Sequence, residues 1–190
     1  VEMEKAKRLP GTRRGDVNLT TGNIWWQIIT FAIPLLLGNL FQQLYNMVDT
    51  WVVGNYVSDA AFAAVGTVAP IINTLIGFFM GLSSGAGVII SQAYGRGDMH
   101  EVKHTVTAST IMTLVMGILF TIIGVSFTPM MLGFINTPAE VTPEATTYLR
   151  IYFAGVIGLM VYNMGSGILR AVGDSRRPFY FLVVSAFLNI

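Results

Sequence analysis

The chain has 190 residues, of which 53% are hydrophobic and only 11% charged, against about 25% charged in an ordinary soluble domain. Apolar residues would have to cover most of a soluble surface, so this balance excludes a soluble globule and points to lipid as the solvent. A net charge of +1 singles out neither nucleic acid nor an acidic partner, and the absence of cysteine removes disulfides, thiolate metal sites and cysteine nucleophiles.

In chain order, residues 1–23 form a polar, basic tail carrying Lys5, Lys7, Arg8, Arg13 and Arg14. The apolar stretch behind it is far too long for the h-region of a signal peptide. A membrane-crossing helix needs about 20 mostly apolar residues. Stretches 24–53, 60–93, 105–128 and 145–171 meet that requirement, and a fifth begins at 178 and stops at 190. An opening on Val1 and a stop inside an apolar run suggest a fragment. The expected fold is an all-α polytopic membrane protein, with four complete transmembrane helices plus the start of a fifth.

Lys and Arg alternate between the connectors. The tail is basic, 54–59 carries none, 94–104 carries Arg96 and Lys103, 129–144 carries none, and 172–177 carries Arg176 and Arg177 just after Arg170. The positive-inside rule then places the N-terminus and the second and fourth connectors in the cytoplasm, with Arg150 as the one departure. Trp25 and Trp26 stand where an interfacial aromatic belt would begin.

The spans carry stripes at helical spacing. On the first, Asn39, Gln42, Gln43, Asn46 and Asp49 form a polar face that lipid would penalise, which makes a cavity-lining role the better account. Small residues recur on the second span (Gly66, Pro70, Asn73, Gly77, Gly81, Gly85) and hydroxyls with glycines on the third (Thr110, Thr113, Gly117, Thr121, Gly124, Thr128). Helix packing accounts for both of these stripes. On the fourth, Tyr148, Tyr152, Gly155, Tyr162 and Ser166 share a face. Asp49 is the one carboxylate within a span. An intramembrane acid is a candidate proton or cation site. Asp49 also lies 24 residues beyond Trp25, about 36 Å along a helix, where an ordinary interfacial Asp would sit. Periodicity leaves both accounts open. His100 and His104 sit i, i+4 in a polar connector without an evident third ligand, so they read as a solvated pair. No phosphate-binding loop, paired-carboxylate motif or His–Glu metal signature occurs.

Four blocks carry a resemblance: IPLLLGNLFQQLYNMVDTWVVGNYVSDAAFAAVG (33–66), GLSSGAGVIISQAYGRGD (81–98), YLRIYFAG (148–155) and GILRAVGDSRRP (167–178). In these the chain resembles the multidrug and toxic compound extrusion (MATE) family of cation-coupled efflux transporters. The resemblance implies a twelve-helix, two-lobe transporter fold, of which this chain would be most of the N-terminal lobe. It further implies a cation-coupling set of Asp49, Tyr148 and Asn189, with Asn39, Gln42, Gln43 and Asn46 lining the lobe cavity and Pro34 as a hinge in the first helix. The implied activity is antiport: H⁺ or Na⁺ enters at Asp49 and drives export of organic, often cationic, drugs or metabolites across the cytoplasmic membrane. A desolvated carboxyl takes up a proton more readily, and neighbouring amides can instead complete a Na⁺ shell, so the coupling ion stays open. The implied partners are the bilayer, a small-molecule substrate and the remainder of the transporter, with no nucleic acid, no cofactor, and no metal except Na⁺ at Asp49. A piece of this length is expected to transport nothing alone. Two rivals remain: a lipid-linked glycan flippase of the same superfamily, which would want more cavity arginines than Arg150, and a membrane enzyme or structural subunit.

Overall fold

The structure, a computed structural model, describes residues 24–189. The basic tail 1–23 and Ile190 lie outside the described residues. The fold is all-α: α1 Ile24–Tyr56, α2 Asp59–Gly95, α3 Met99–Phe134, α4 Thr142–Ala171 and α5 Arg176–Asn189. The first four are long and apolar enough to cross a membrane. At about 1.5 Å per residue the 37-residue α2 is roughly 55 Å long, well beyond a ~30 Å hydrocarbon core.

Each helix overruns the apolar stretch that announces it, because polar turns at the interface continue the helix outside lipid. The α3 helix starts at Met99, capped by the Asp98 carboxylate accepting from the Glu101 amide at 3.0 Å, so His100 and His104 are helical. It also runs through Pro129 to Phe134. Pro34 and Pro70 are likewise inside unbroken helices, an arrangement that membrane helices tolerate.

Three of the connections close in the same way. After α2, Gly97 (φ 75°) donates to the Tyr94 carbonyl and Asp98 to that of Ala93. After α4, Gly173 (φ 90°) donates to Arg170 and Asp174 to Leu169. After α3, Asn136 (φ 51°) takes the glycine's place, donating to Gly133 while Thr137 donates to Leu132. This is the Schellman closure, which needs a left-handed residue just past the helix. On the α4–α5 turn the buried Asp174 then starts the next helix. Its Oδ1 accepts from the amides of Arg176 and Arg177, both at 3.1 Å, and its Oδ2 pairs with Arg177 Nε at 3.0 Å.

The packed centre is α4, which lies between α2 and α3. Its buried face, Leu149, Phe153, Val156 and Met160, meets Ala64, Val68, Leu75 and Phe79 of α2 and Leu132 of α3. Small residues set how closely the helices approach. A Cβ at Gly124 would fall inside the Phe153 ring, one at Gly117 would meet Ile157 at 2.6 Å, and one at Gly167 would collide with Ser83. Thr113 and Thr128 are buried on the same α3 seam and return their hydroxyl hydrogens to the carbonyls of Ser109 and Gly124. The α3 stripe is therefore a packing face. The α2 stripe is different: beside Gly66, Gly77, Gly81 and Gly85 there is open space, and packing among the described residues does not account for these glycines.

A second unit is formed by α1 and α5, joined by an edge-on Phe41–Phe179 pair at 6.0 Å and by Gly38 against Phe179 and Leu182. It reaches the bundle through Tyr162 of α4, whose hydroxyl donates to the Pro178 carbonyl at 3.4 Å, and through Gly54 of α1 against Phe62 of α2.

Candidate functional site

The C-terminal half of α1 carries the candidate coupling residues, and its helical register decides what each can meet. Tyr45 and Asp49 are i, i+4 and so share a face, which is turned toward α4. There the Asp49 carboxylate is an electrostatic neighbour of the phenols of both Tyr45 and Tyr148, and Tyr148 is one of Tyr152. One acid and three phenols thus lie within electrostatic range of one another's neighbours along α1 and α4. Asp49 itself is exposed in the described structure, and Tyr148 is 36% exposed. α1 touches the bundle lightly, and no described helix covers its polar side. Phenol hydroxyls can donate to a carboxylate and can also offer oxygen to a cation, so the cluster is chemically able to hold either a proton or a hard cation.

Tyr148 also lines a small cleft of about 250 Å³ near the α1–α2 turn, walled by Val53 and Val57 of α1, Ala61 and Val65 of α2, and Glu144 one turn before Tyr148. Glu144 adds a second carboxylate to this end of the molecule.

The amide stripe is divided. Gln42 lines a cleft of about 560 Å³ between α1, α4 and α5, together with Tyr45, Tyr162, Leu182 and Ser185. Gln43 and Asn46 line a wider groove of about 750 Å³ on the other side of α1, with Thr50, Trp51, Asn55 and Asp59. Asn39 is exposed. The stripe spans about 120° of the helix at 100° per residue, too wide for one cleft to receive. Asn189 is the last residue of α5. Pro34 lies in the N-terminal half of α1, before the polar stripe begins.

Sequence reasoning passed over Tyr45, Glu144 and Ser185. Only the i, i+4 spacing of Tyr45 from Asp49, inside the same YNMVD block, offered a signal; Glu144 looked like an ordinary loop acid, and Ser185 like an ordinary small residue in an apolar run. Among the described residues no cluster of three or more His, Asp or Glu could hold a metal ion.

Comparison with known proteins is consistent across sequence and structure. The MatE family model matches residues 34–190. The probable multidrug resistance protein YoeA of Bacillus subtilis is 34% identical over 88% of this chain, and YpnP of the same organism 31% identical over 90%. The chain spans 36% and 39% of the length of these two relatives. Among solved structures, a MATE transporter in its straight conformation superposes with a TM-score of 0.84 at 30% identity, over 94% of this chain and 39% of that one. A MATE transporter in the bent conformation gives 0.77 at 29% identity, over 85% and 36%. This chain is a multi-pass membrane protein that belongs to the MatE family of multidrug efflux transporters.

Proposed function

We propose that the chain is the ion-coupling part of an antiporter that takes up H⁺ or Na⁺ and exports organic, often cationic, compounds across the cytoplasmic membrane. The observation that carries this reading is the electrostatic proximity of Asp49 on α1 to the phenols of Tyr45 and, on α4, Tyr148, in a chain otherwise poor in intramembrane charge. A carboxylate in that position binds the incoming cation, while Tyr45 and Tyr148 supply further oxygens or accept the proton's hydrogen bond. Asn189, at the end of α5, belongs to the same set by family resemblance. The cleft lined by Gln42, Tyr45, Tyr162 and Ser185 offers apolar walls with a few polar groups, the usual composition of a small-molecule site. Cation binding at Asp49 changes the charge beside this cleft, and bending of α1 at Pro34 transmits the change to its shape. Because the chain spans little more than a third of its relatives, transport is assigned to the longer protein, with the N-terminus in the cytoplasm.

The deciding experiment is Asp49→Asn in the full-length parent, reconstituted in vesicles with an imposed ion gradient. Asn keeps size and hydrogen bonding but not charge. Gradient-driven efflux is expected to be lost, with expression and substrate binding retained. Full efflux by the Asn variant would end this assignment.

A further inference from the structure

A fourth cleft, of about 560 Å³, opens between α2 and α4 at the end of the molecule opposite Asp49, with Phe31 of α1 at its side. Its floor is the Ser83–Asn163 hydrogen bond, in which the Ser83 hydroxyl donates to the Asn163 carbonyl at 2.8 Å. Its mouth is Arg170, in the last turn of α4. From Asn163 to Arg170 is about two helical turns, roughly 10 Å.

The lining is mixed along that length. Arg170 is exposed at one end, Ser84 and Ser91 of α2 line the cleft with the buried Ser83, and Phe31, Met80 and Val88 make much of the rest apolar. No carboxylate lines the cleft. Arg170 has no ion-pair partner among the described residues, whereas Arg96 is paired with Glu101 and Arg177 with Asp174. The acid nearest to it in the turn, Asp174, is already occupied by two amides and Arg177. Arg176, at the start of α5, likewise has no ion-pair partner among the described residues. An unpaired arginine at the end of a long apolar helix, beside a cleft that combines hydroxyls with apolar walls, suits the phosphate and glycerol region of a phospholipid with part of an acyl chain against Phe31, Met80 and Val88.

We propose that this cleft is a binding site for an anionic phospholipid of the leaflet in which α4 ends, with Arg170 holding the headgroup phosphate. Guanidinium groups recognise phosphate oxygens through paired N–H donors. The uncompensated charge of Arg170 favours a net-negative headgroup over a zwitterionic one, which would bring its own cation against it.

The test uses the full-length parent in detergent, with bound lipid read by native mass spectrometry after addition of phosphatidylglycerol or phosphatidylcholine. Wild type is expected to retain phosphatidylglycerol preferentially. Arg170→Gln should lose about fivefold in affinity, the contribution of one basic residue near an anionic surface. Val88→Trp changes no charge but fills the cleft, since Val88 is 52% exposed on its wall, and should also weaken retention. Arg150→Gln, near the opposite end of α4, should not. Equal retention of the two lipids, or retention unchanged in both Arg170→Gln and Val88→Trp, would overturn the site; so would displacement of the lipid by inorganic phosphate alone. Absence of any bound lipid in wild type would show that a further helix of the longer protein covers the cleft, and would overturn it too.

Discussion

Gly167 of α4 lies directly against Ser83 of α2: the Ser83 side chain occupies the space in which a Cβ at position 167 would sit. The same Ser83 hydroxyl bonds back to the carbonyl of Asn163, one turn earlier on α4. Lipid tails are as apolar as leucine, so close backbone approach and cross-helix hydrogen bonds must hold membrane helices together. This contact supplies both.

Gly167→Ala should therefore destabilise the bundle by about 1–3 kcal/mol, the usual cost of overpacking. A second change, Ser83→Ala, removes the colliding oxygen and leaves the Ser83 Cβ 3.3 Å from the new methyl, so the double variant should recover part of the loss. Gly81→Ala, beside open space, serves as the contrast and should be near neutral. Thermal unfolding in detergent reads all three. Equal destabilisation by Gly81→Ala and Gly167→Ala would show that the clash is not the cause.

The fold was legible where one physical cause dominated. Lipid length fixes the number of spans, and the α3 face of Thr113, Gly117, Gly124 and Thr128 could be recognised as packing because hydroxyls and glycines at helical spacing rarely serve anything else. The α2 glycines form an equally regular stripe, yet they face open space; periodicity identifies a face but not its partner. Helix ends were less legible, since Pro129 and the polar turn at His100 are helical against their local signals. The candidate site was half legible. Asp49 stands out as a lone intramembrane acid, but its nearness to the Tyr148 phenol depends on where α1 sits beside the bundle, which no local pattern encodes.

Orientation can be settled by labelling. This chain has no cysteine, so single cysteines report without background. Val57 in the α1–α2 turn, Glu140 in the α3–α4 turn and His100 on the first turn of α3 are all exposed. With Arg96, Lys103, Arg170, Arg176 and Arg177 on the cytoplasmic side, Val57→Cys and Glu140→Cys in the full-length parent should react with an impermeant thiol reagent from outside, and His100→Cys should not. The opposite pattern would invert the topology and, with it, the direction from which Asp49 is loaded.

Pro34 breaks the backbone ladder of α1 without ending the helix. The missing hydrogen bond and the ring clash with the preceding turn lower the cost of bending at that point. The chain also superposes on both straight and bent MATE structures, over more of its length on the straight one. Pro34→Ala should insert and fold normally, with a melting temperature at or above wild type, yet transport slowly because the bent state becomes harder to reach. Transport at the wild-type rate would count against a hinge at this position.

The last prediction concerns how Asp49 and Tyr148 act together. Tyr148→Phe removes a hydroxyl and keeps the ring that lines the small cleft with Val53, Ala61 and Ile151, so stability should change little. If the hydroxyl helps Asp49 hold the coupling ion, Tyr148→Phe lowers ion-driven efflux, though less than Asp49→Asn, because the carboxylate keeps Tyr45 as a second neighbour. The informative comparison is the double variant. Groups that serve one ion are non-additive, so once Asp49 is Asn, adding Tyr148→Phe should cost nothing more in ion-driven efflux. A control at Tyr162, which lines the α1–α4–α5 cleft and bonds to the Pro178 carbonyl instead, separates the two roles: Tyr162→Phe should alter substrate affinity or stability and leave ion dependence alone. Additive losses from Asp49→Asn and Tyr148→Phe would mean that the two side chains act on different steps, and the shared ion site across α1 and α4 would have to be abandoned.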